Sequence, residues 1–227
     1  MIYESEVLTK EQVNKINHYF DTATLKPGKV QYAGKNDVDT STKDSYAMEN
    51  TSSQYRKSIE LVQQGLRKSE DFNQVYLLKE MTPPIFSEYR EGGFYKTHID
   101  DVSIGGLLTH HSMSIFLSEP DEYEGGQLAI TLGDQEYGYK PAAGTCLIYP
   151  TGLRHQVLPV TSGRRRVAIL WGTSIIDDSF MRYQLLDMSK AIRNAALTYP
   201  GGRDKASPAI LPLEQIRANF IREYGNL

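Results

Sequence analysis

Cysteine is almost missing: Cys146 stands alone in a chain of 227 residues. No internal disulfide can form, and zinc or iron–sulfur sites built from several thiolates are excluded, which suits a reducing compartment. Long apolar runs are missing too. A membrane span needs about 20 consecutive apolar residues, and no stretch approaches that, while the opening MIYESEVLTKEQ carries acids where a leader would be apolar. These absences describe a soluble, intracellular protein of the cytoplasm. Nor is there an excess of charge of one sign. The net charge of -3 gives no broad positive field to grip phosphate backbones, so nucleic acid is disfavoured as a partner. Tryptophan occurs once against fifteen tyrosines, which points to amphipathic aromatic surfaces rather than an oily interior. Internal repeats and low-complexity tracts are absent as well.

What is present is an ordinary globular composition, long enough for one sizeable core. Thr9 and Gln12 make a capping box, and Leu8 can staple against Val13, which starts a helix whose Val13, Ile16 and Phe20 share a face. Residues 21–54 are polar and read as irregular connection, with one short strand near Lys29–Tyr32. A second helix is predicted over Tyr55–Lys68, from the spacing of Tyr55, Ile59, Val62 and Leu66. From Val75 the pattern changes to short β-prone runs broken by Gly, Pro, Asp and Ser. They are Val75–Lys79, Ile85–Arg90, Phe94–Asp100, Ser112–Ser118, Gly126–Thr131, Glu136–Lys140, Thr145–Tyr149, Gln156–Val160 and Arg165–Ile175. Strands at this spacing without intervening helices argue for an antiparallel sandwich or barrel, of which the jelly roll is the eight-stranded member. Helical spacing returns after Asp178, with Phe180, Leu185, Met188 and Ile192 as the expected buried face. Tyr199–Pro208 reads as a linker, and Pro212 opens a last helix with an Ile216, Phe220, Tyr224 stripe that ends at Gly225. That helix would pack on the barrel or supply a homodimer contact. The fold class is therefore mainly β with flanking helices (α+β): a helical support over 1–74, a jelly-roll core over 75–178 and a helical extension over 179–227.

The chemistry concentrates in His98-Ile99-Asp100 and the distant His155. Residues two apart on a strand point to one face, so His98 and Asp100 can present an imidazole nitrogen and a carboxylate oxygen to a single point. His155, opening a later strand, can add a third ligand from across a barrel. Two histidines and a carboxylate on one face of an octahedral metal leave three positions for a chelating cosubstrate and dioxygen, as in non-haem Fe(II) oxygenases. A lone His-x-Asp is more often a hydrogen-bonded surface pair, but Arg165 adds weight. A Thr161-Ser162-Gly163 turn would fold the chain back as a hairpin and set Arg165 opposite Pro159 or Val160, roughly 13 Å along the strand from His155. That gap fits a short dicarboxylate whose keto acid end chelates the metal and whose far carboxylate meets a guanidinium fork. Arg165 shares strand parity with Val167, Ile169 and Trp171 and can face inward, whereas Arg164 and Arg166 read as a solvated basic turn. His110 and His111 read as loop or strand-end residues, Cys146 and Trp171 as core, and Glu124-Gly125-Gly126 as a bend.

Three segments in order carry a resemblance: FSEYREGGFYKTHID over 86–100, SIFLSEPDEYEGGQL over 114–128 and YPTGLRHQVLPVTSGRR over 149–165. They resemble the PKHD-type hydroxylases, within the prolyl 4-hydroxylase-like Fe(II)/2-oxoglutarate dioxygenases, and the likeness runs from the Leu8 helix to the helix after Asp178. The resemblance implies a double-stranded β-helix (jelly-roll, cupin-like) core, with His98, Asp100 and His155 as the catalytic iron ligands. It also implies 2-oxoglutarate held by Arg165, with Tyr89 touching that cosubstrate, and ascorbate (vitamin C) to keep the iron reduced. The segment VSIGGLLTHH after Asp101 departs from the more basic stretch the family leads one to expect, so substrate contacts there are expected to differ.

The resemblance implies hydroxylation of an unactivated C–H bond, with a prolyl or other residue of a peptide or protein as the favoured substrate and succinate and carbon dioxide as coproducts. A free amino acid or small metabolite is the second choice. A nucleic-acid demethylase is disfavoured, because Trp171 stands where that pattern carries a second arginine. From another class altogether, the barrel could be a cupin-like module that binds a metal or ligand without turnover.

Overall fold

The computed structural model describes residues 2–32, 35–70, 72–73, 77–199 and 207–226. The N-terminal part runs β1 (Tyr3–Glu6), α1 (Lys10–Thr22), β2 (Leu25–Pro27), β3 (Val30–Tyr32), β4 (Lys35–Asp37), β5 (Lys43–Asp44), β6 (Tyr46–Met48) and α2 (Ser53–Lys68). There follow β7 (Leu78–Met81), β8 (Ile85–Tyr89), β9 (Phe94–His98), β10 (Ser103–Ile104), β11 (Leu107–Leu108), β12 (His111–Phe116) and β13 (Tyr123–Gly125). The chain continues through β14 (Leu128–Leu132), β15 (Gln135–Tyr139), β16 (Thr145–Pro150), β17 (His155–Val157), β18 (Val160–Gly163) and β19 (Arg165–Ser174), and ends with α3 (Ser179–Thr198) and α4 (Leu211–Tyr224).

Two antiparallel sheets form a double-stranded β-helix. The major sheet has the order β1-β16-β12-β19-β8-β6-β2, with β7 also on β19, and the minor sheet has the order β15-β14-β17-β9-β5. Period-two alternation decides which core each side chain enters. On β12, Met113 and Ile115 join a core with Val13, Ile16 and Phe20 of α1 and Val62 and Leu66 of α2. Phe116 points the other way, into a second core that lies between the sheets with Tyr89, Leu147, Tyr149 and Val167 facing Leu128, Ile130 and Val157. Both faces of the major sheet are thus covered, each buried Leu, Ile or Phe side chain contributing about 1.5–3 kcal/mol.

Helix α1 starts on the expected capping box, with the Thr9 hydroxyl accepting from the Gln12 amide and the Gln12 side chain accepting from the Thr9 amide. Helix α4 carries Pro212 in its first turn, ends at Gly225 and packs on α3, where Arg217 Nε donates to Ser189 Oγ at 2.9 Å. No helix among the described residues is long and apolar enough to cross a membrane.

Several expectations change. The polar 21–54 segment yields short strands β2, β4, β5 and β6 besides β3, the one foreseen near Lys29–Tyr32, and three of them (β2, β5 and β6) extend the two sheets at their edges. The run 156–160 is two strands, because Pro159 has no N–H to continue the ladder: β17 ends at Val157 and β18 pairs with β13 instead. The strand expected from Val75 is seen from Leu78, residues 74–76 lying outside the described residues, as do 200–206 of the expected linker. Phe180 faces solvent, and the buried face of α3 is Leu185, Leu186 and Ser189. The Ile216 and Tyr224 side chains of α4 are likewise exposed.

Candidate active site

Strands β9 and β17 are antiparallel neighbours, and their register sets His98 directly opposite His155. Asp100 follows two residues after β9 ends. One ligand atom from each of His98, Asp100 and His155 lies within 4.8 Å of the other two. Asp100 Oδ1 is 3.7 Å from His98 Nε2, and Asp100 Oδ2 is 3.6 Å from His155 Nε2. Each imidazole spends its other nitrogen on the backbone: His98 Nδ1 bonds the Lys96 carbonyl at 2.8 Å and His155 Nδ1 bonds the Leu153 carbonyl at 2.9 Å. With the proton on Nδ1, both Nε2 lone pairs are aimed at the carboxylate, the arrangement a metal-ligating histidine needs. Burial first, and then the neighbouring His155, pull the His98 pKa well below the usual imidazole range, against the opposite pull of Asp100. Two imidazole nitrogens and one carboxylate, gathered in this way, fit a divalent cation.

Side chains from the major sheet hold Asp100 in place. The Ser112 hydroxyl donates to Asp100 Oδ2 at 2.6 Å, and the Trp171 indole N–H donates to the same oxygen at 2.8 Å. Trp171 was expected to be core packing; its strand parity with Arg165 was the signal that it looks into the barrel. Tyr95 stacks on His98 with ring centres 3.6 Å apart, and Tyr149 meets His155 edge-on at 5.1 Å. Neither ring was singled out by the sequence, nor was Lys43, whose ammonium lies 4.6 Å from the centre of the Tyr95 ring.

Arg165 opens β19 opposite Tyr89 of β8 and is 1% exposed. Its guanidinium carbon is 5.2 Å from the ring centres of both Tyr89 and Phe116. Arg165 Nε and Nη1 and the Tyr89 hydroxyl are buried without a hydrogen-bond partner among the described residues. Burial pushes the Tyr89 phenol up to about 12, with Arg165 pulling the other way. Unpaired donors on a buried cation are costly, and a bound carboxylate would satisfy them. Space for the side chain comes from Gly126, at φ +63°, where a Cβ would stand 3.3 Å from Arg165 Cδ and 2.9 Å from Val160 Cγ2. The expected hairpin is not what delivers Arg165. The turn at Gly163, φ +76°, passes the chain from β18 into the major sheet, where β19 lies between β12 and β8. Arg165 therefore reaches the interior from the sheet opposite His155.

Arg166 is a further correction. It is buried rather than solvated, with Nε donating to Glu88 at 2.9 Å, Nη2 to Asp21 at 2.5 Å and Nη1 to the Asn17 carbonyl at 3.2 Å. Its parity opposes that of Arg165, so it faces α1. His111 opens β12, and His110 just before it accepts from the Ser174 amide, so both lie at a strand end. Cys146 is buried in the core beneath the helices.

Residues 84–172, which contain the three clustered side chains and Arg165, match the profile of the 2OG-Fe(II) oxygenase superfamily. A PKHD-type hydroxylase of Xanthomonas axonopodis pv. citri is 30% identical, the match covering 98% of this chain and 97% of that protein. Another from Acaryochloris marina is 31% identical with 97% of both chains covered. Among solved structures, a Pseudomonas putida prolyl-4-hydroxylase is similar over 76% of this chain and 92% of its own, at 19% identity and a TM-score of 0.53. A Trichoplax adhaerens prolyl hydroxylase, solved with a hypoxia inducible factor oxygen degradation domain peptide, is similar over 76% and 83%, at 14% identity and a TM-score of 0.60. The fold of those two is the fold found here. The reach of the full-length likeness identifies the chain as an enzyme, not a binding module: it belongs to the PKHD-type hydroxylases, dioxygenases of the 2-oxoglutarate and Fe(II) class.

Proposed function

We propose that the enzyme hydroxylates an unactivated C–H bond in a prolyl or other residue of a peptide or protein, with succinate and carbon dioxide as coproducts. In this reading His98, Asp100 and His155 hold Fe(II), and Arg165 and Tyr89 hold 2-oxoglutarate. When bound, the metal and the keto acid supply the oxidising power that side chains lack. The protein's part is placement. The Lys96 and Leu153 carbonyls keep both Nε2 lone pairs available, and Ser112 and Trp171 restrain the carboxylate. Arg165 offers a fork to the far carboxylate of the cosubstrate, and the Tyr89 hydroxyl stands beside it. Phe116, Tyr149 and Val167 close the interior against water. Ascorbate as reductant is part of the proposal and rests on the family resemblance alone.

The observation that carries the reading is that Arg165 Nε and Nη1 are buried without partners among the described residues, in the same barrel as the three clustered side chains. A peptide substrate is supported by the peptide-bound Trichoplax relative and by exposed apolar side chains Ile99, Val102 and Leu108 around Asp100. The test is incubation of a cell lysate with enzyme, Fe(II), 2-oxoglutarate and isotopically labelled dioxygen, followed by mass spectrometry. Label in a proline-containing peptide is expected. Label confined to small molecules would overturn the peptide reading. In the same assay Arg165→Ala is expected to raise the KM for 2-oxoglutarate by about tenfold or more, the worth of a hydrogen bond to a charged group, and an unchanged KM would remove Arg165 from the site.

A further inference from the structure

Lys43 sits on β5, the edge strand of the minor sheet, in register with Tyr95 of β9. Its ammonium lies over the Tyr95 ring, and that ring stacks on the His98 imidazole. Only one ring separates a cation from a candidate metal ligand. Lysines of this length normally reach out to water while their stems stay covered, yet this one is 9% exposed. An ammonium has three donors. Among the described residues Lys43 has one acceptor, the Lys29 carbonyl at a long 3.4 Å, and no carboxylate within ion-pair distance. Burial draws its pKa down to about 8, with Asp100 acting at longer range in the opposite sense. The fold thus keeps an under-partnered cation beside the reaction centre, on a different sheet from Arg165.

We infer that Lys43 anchors a carboxylate of the molecule being oxidised, so that the preferred substrates are acidic. The inference rests on the hydroxylase reading above and narrows it. Arg165, deep between the sheets, is matched to the cosubstrate, while Lys43 at the sheet edge is left for a second negative group. One ammonium balances the single charge of a carboxylate; a phosphate would leave charge uncompensated. The carboxylate can belong to an acidic residue next to the target in a peptide or to a free amino acid.

Trp171 is the sole tryptophan and touches Asp100, so its fluorescence reports occupancy of the site. The protein, loaded anaerobically with Fe(II) and 2-oxoglutarate, is titrated with proline-centred pentapeptide pools carrying Glu or Gln beside the proline, and with N-acetylproline against its amide. Wild type is expected to bind the acidic member of a pair about tenfold or more tightly, as a hydrogen bond to a charged group provides. Lys43→Met should abolish that preference and Lys43→Arg should keep it. A melting temperature of Lys43→Met at or above that of wild type establishes that the variant is folded. Equal binding within every pair, no binding by any probe, or a preference that survives in Lys43→Met overturns the assignment. A preference confined to the free acids leaves Lys43 in its role and overturns the peptide reading instead.

Discussion

At the scale of single residues the candidate site depends on side chains beyond the three proposed ligands. Asp100 Oδ2 accepts from both Ser112 and Trp171, and those two bonds fix where the carboxylate points. Outer partners of this kind typically govern metal affinity by about 10–100-fold. Trp171→Phe keeps the ring and removes only the N–H, so Fe(II) or Co(II) affinity, followed by titration calorimetry, should fall by about that factor while the fold persists. Unchanged affinity would mean that Ser112 alone suffices. Lys43 gives a second residue-scale expectation, this time in stability. Its folded pKa of about 8 lies below the unfolded value of about 10.4. The buried ammonium therefore costs stability in full below about pH 8, and the cost fades as pH rises towards 10.4. Asp100 and Tyr95 are the titratable neighbours; the former opposes the downward shift of Lys43, and burial holds the phenol of the latter far above the range. Thermal melts of Lys43→Met should exceed wild type most at neutral pH, and the gap should narrow near pH 10.

At the scale of elements, α1 is tied to the barrel by a charge cluster. Glu88 of β8 is fully buried and receives Arg90 Nε at 2.7 Å and Arg166 Nε at 2.9 Å, while Arg166 reaches on to Asp21 of α1. Burial alone would raise the Glu88 pKa, but the hydrogen bonds from Arg90 and Arg166 outweigh it and the net direction is down. A depressed folded pKa means stability that is present above the unfolded carboxylate value and lost as pH falls through the folded one. Glu88→Ala removes the buried one of the two carboxylates that Arg166 meets and leaves it the exposed Asp21; breaking a buried pair costs about 3–5 kcal/mol in comparable cases. It should lower the urea midpoint at pH 7 and flatten the acid limb of the stability profile. This cluster also marks where the sequence could be read and where it could not. Helix α1 was legible because its capping box is local, and the main strands were legible from alternation. Arg165 was legible as inward-facing from its strand parity, but Arg164 and Arg166 looked like solvated charge, since alternation says that neighbours diverge but not what awaits them. Arg165 meets Tyr89 and Phe116 while Arg166 meets α1. The pairing of His98 with His155 spans 57 positions and is a product of sheet topology. Lys43 and Ser112 were silent for the same reason, and Trp171 showed only its parity: their roles arise only where strands from distant parts of the chain converge. Strands β2, β5 and β6 escaped notice because short edge strands need little alternation once a neighbour supplies the ladder.

At the scale of the whole molecule, the candidate metal site is a junction between the two sheets. His98 and His155 belong to the minor sheet, whereas Asp100 is clamped by Ser112 of β12 and Trp171 of β19 in the major sheet. A cation bound to all three groups would strengthen a link between the sheets that now rests here on those two hydrogen bonds. Ligand that binds only the folded state adds about 2.7 kcal/mol at 100 times its dissociation constant. For a chain of this size each kcal/mol is worth about 2–4 °C in melting temperature. Saturating Co(II) or Fe(II) should therefore raise the melting point by roughly 5–10 °C over a chelator-treated sample. Trp171→Phe separates coupling from mere binding. At metal concentrations adjusted to equal saturation, the variant should show a smaller slowing of hydrogen exchange in β12 and β19 than wild type, with β9 and β17 protected as before. Equal protection of both sheets in the variant would mean that the coupling runs through Ser112 or the apolar core and not through Trp171.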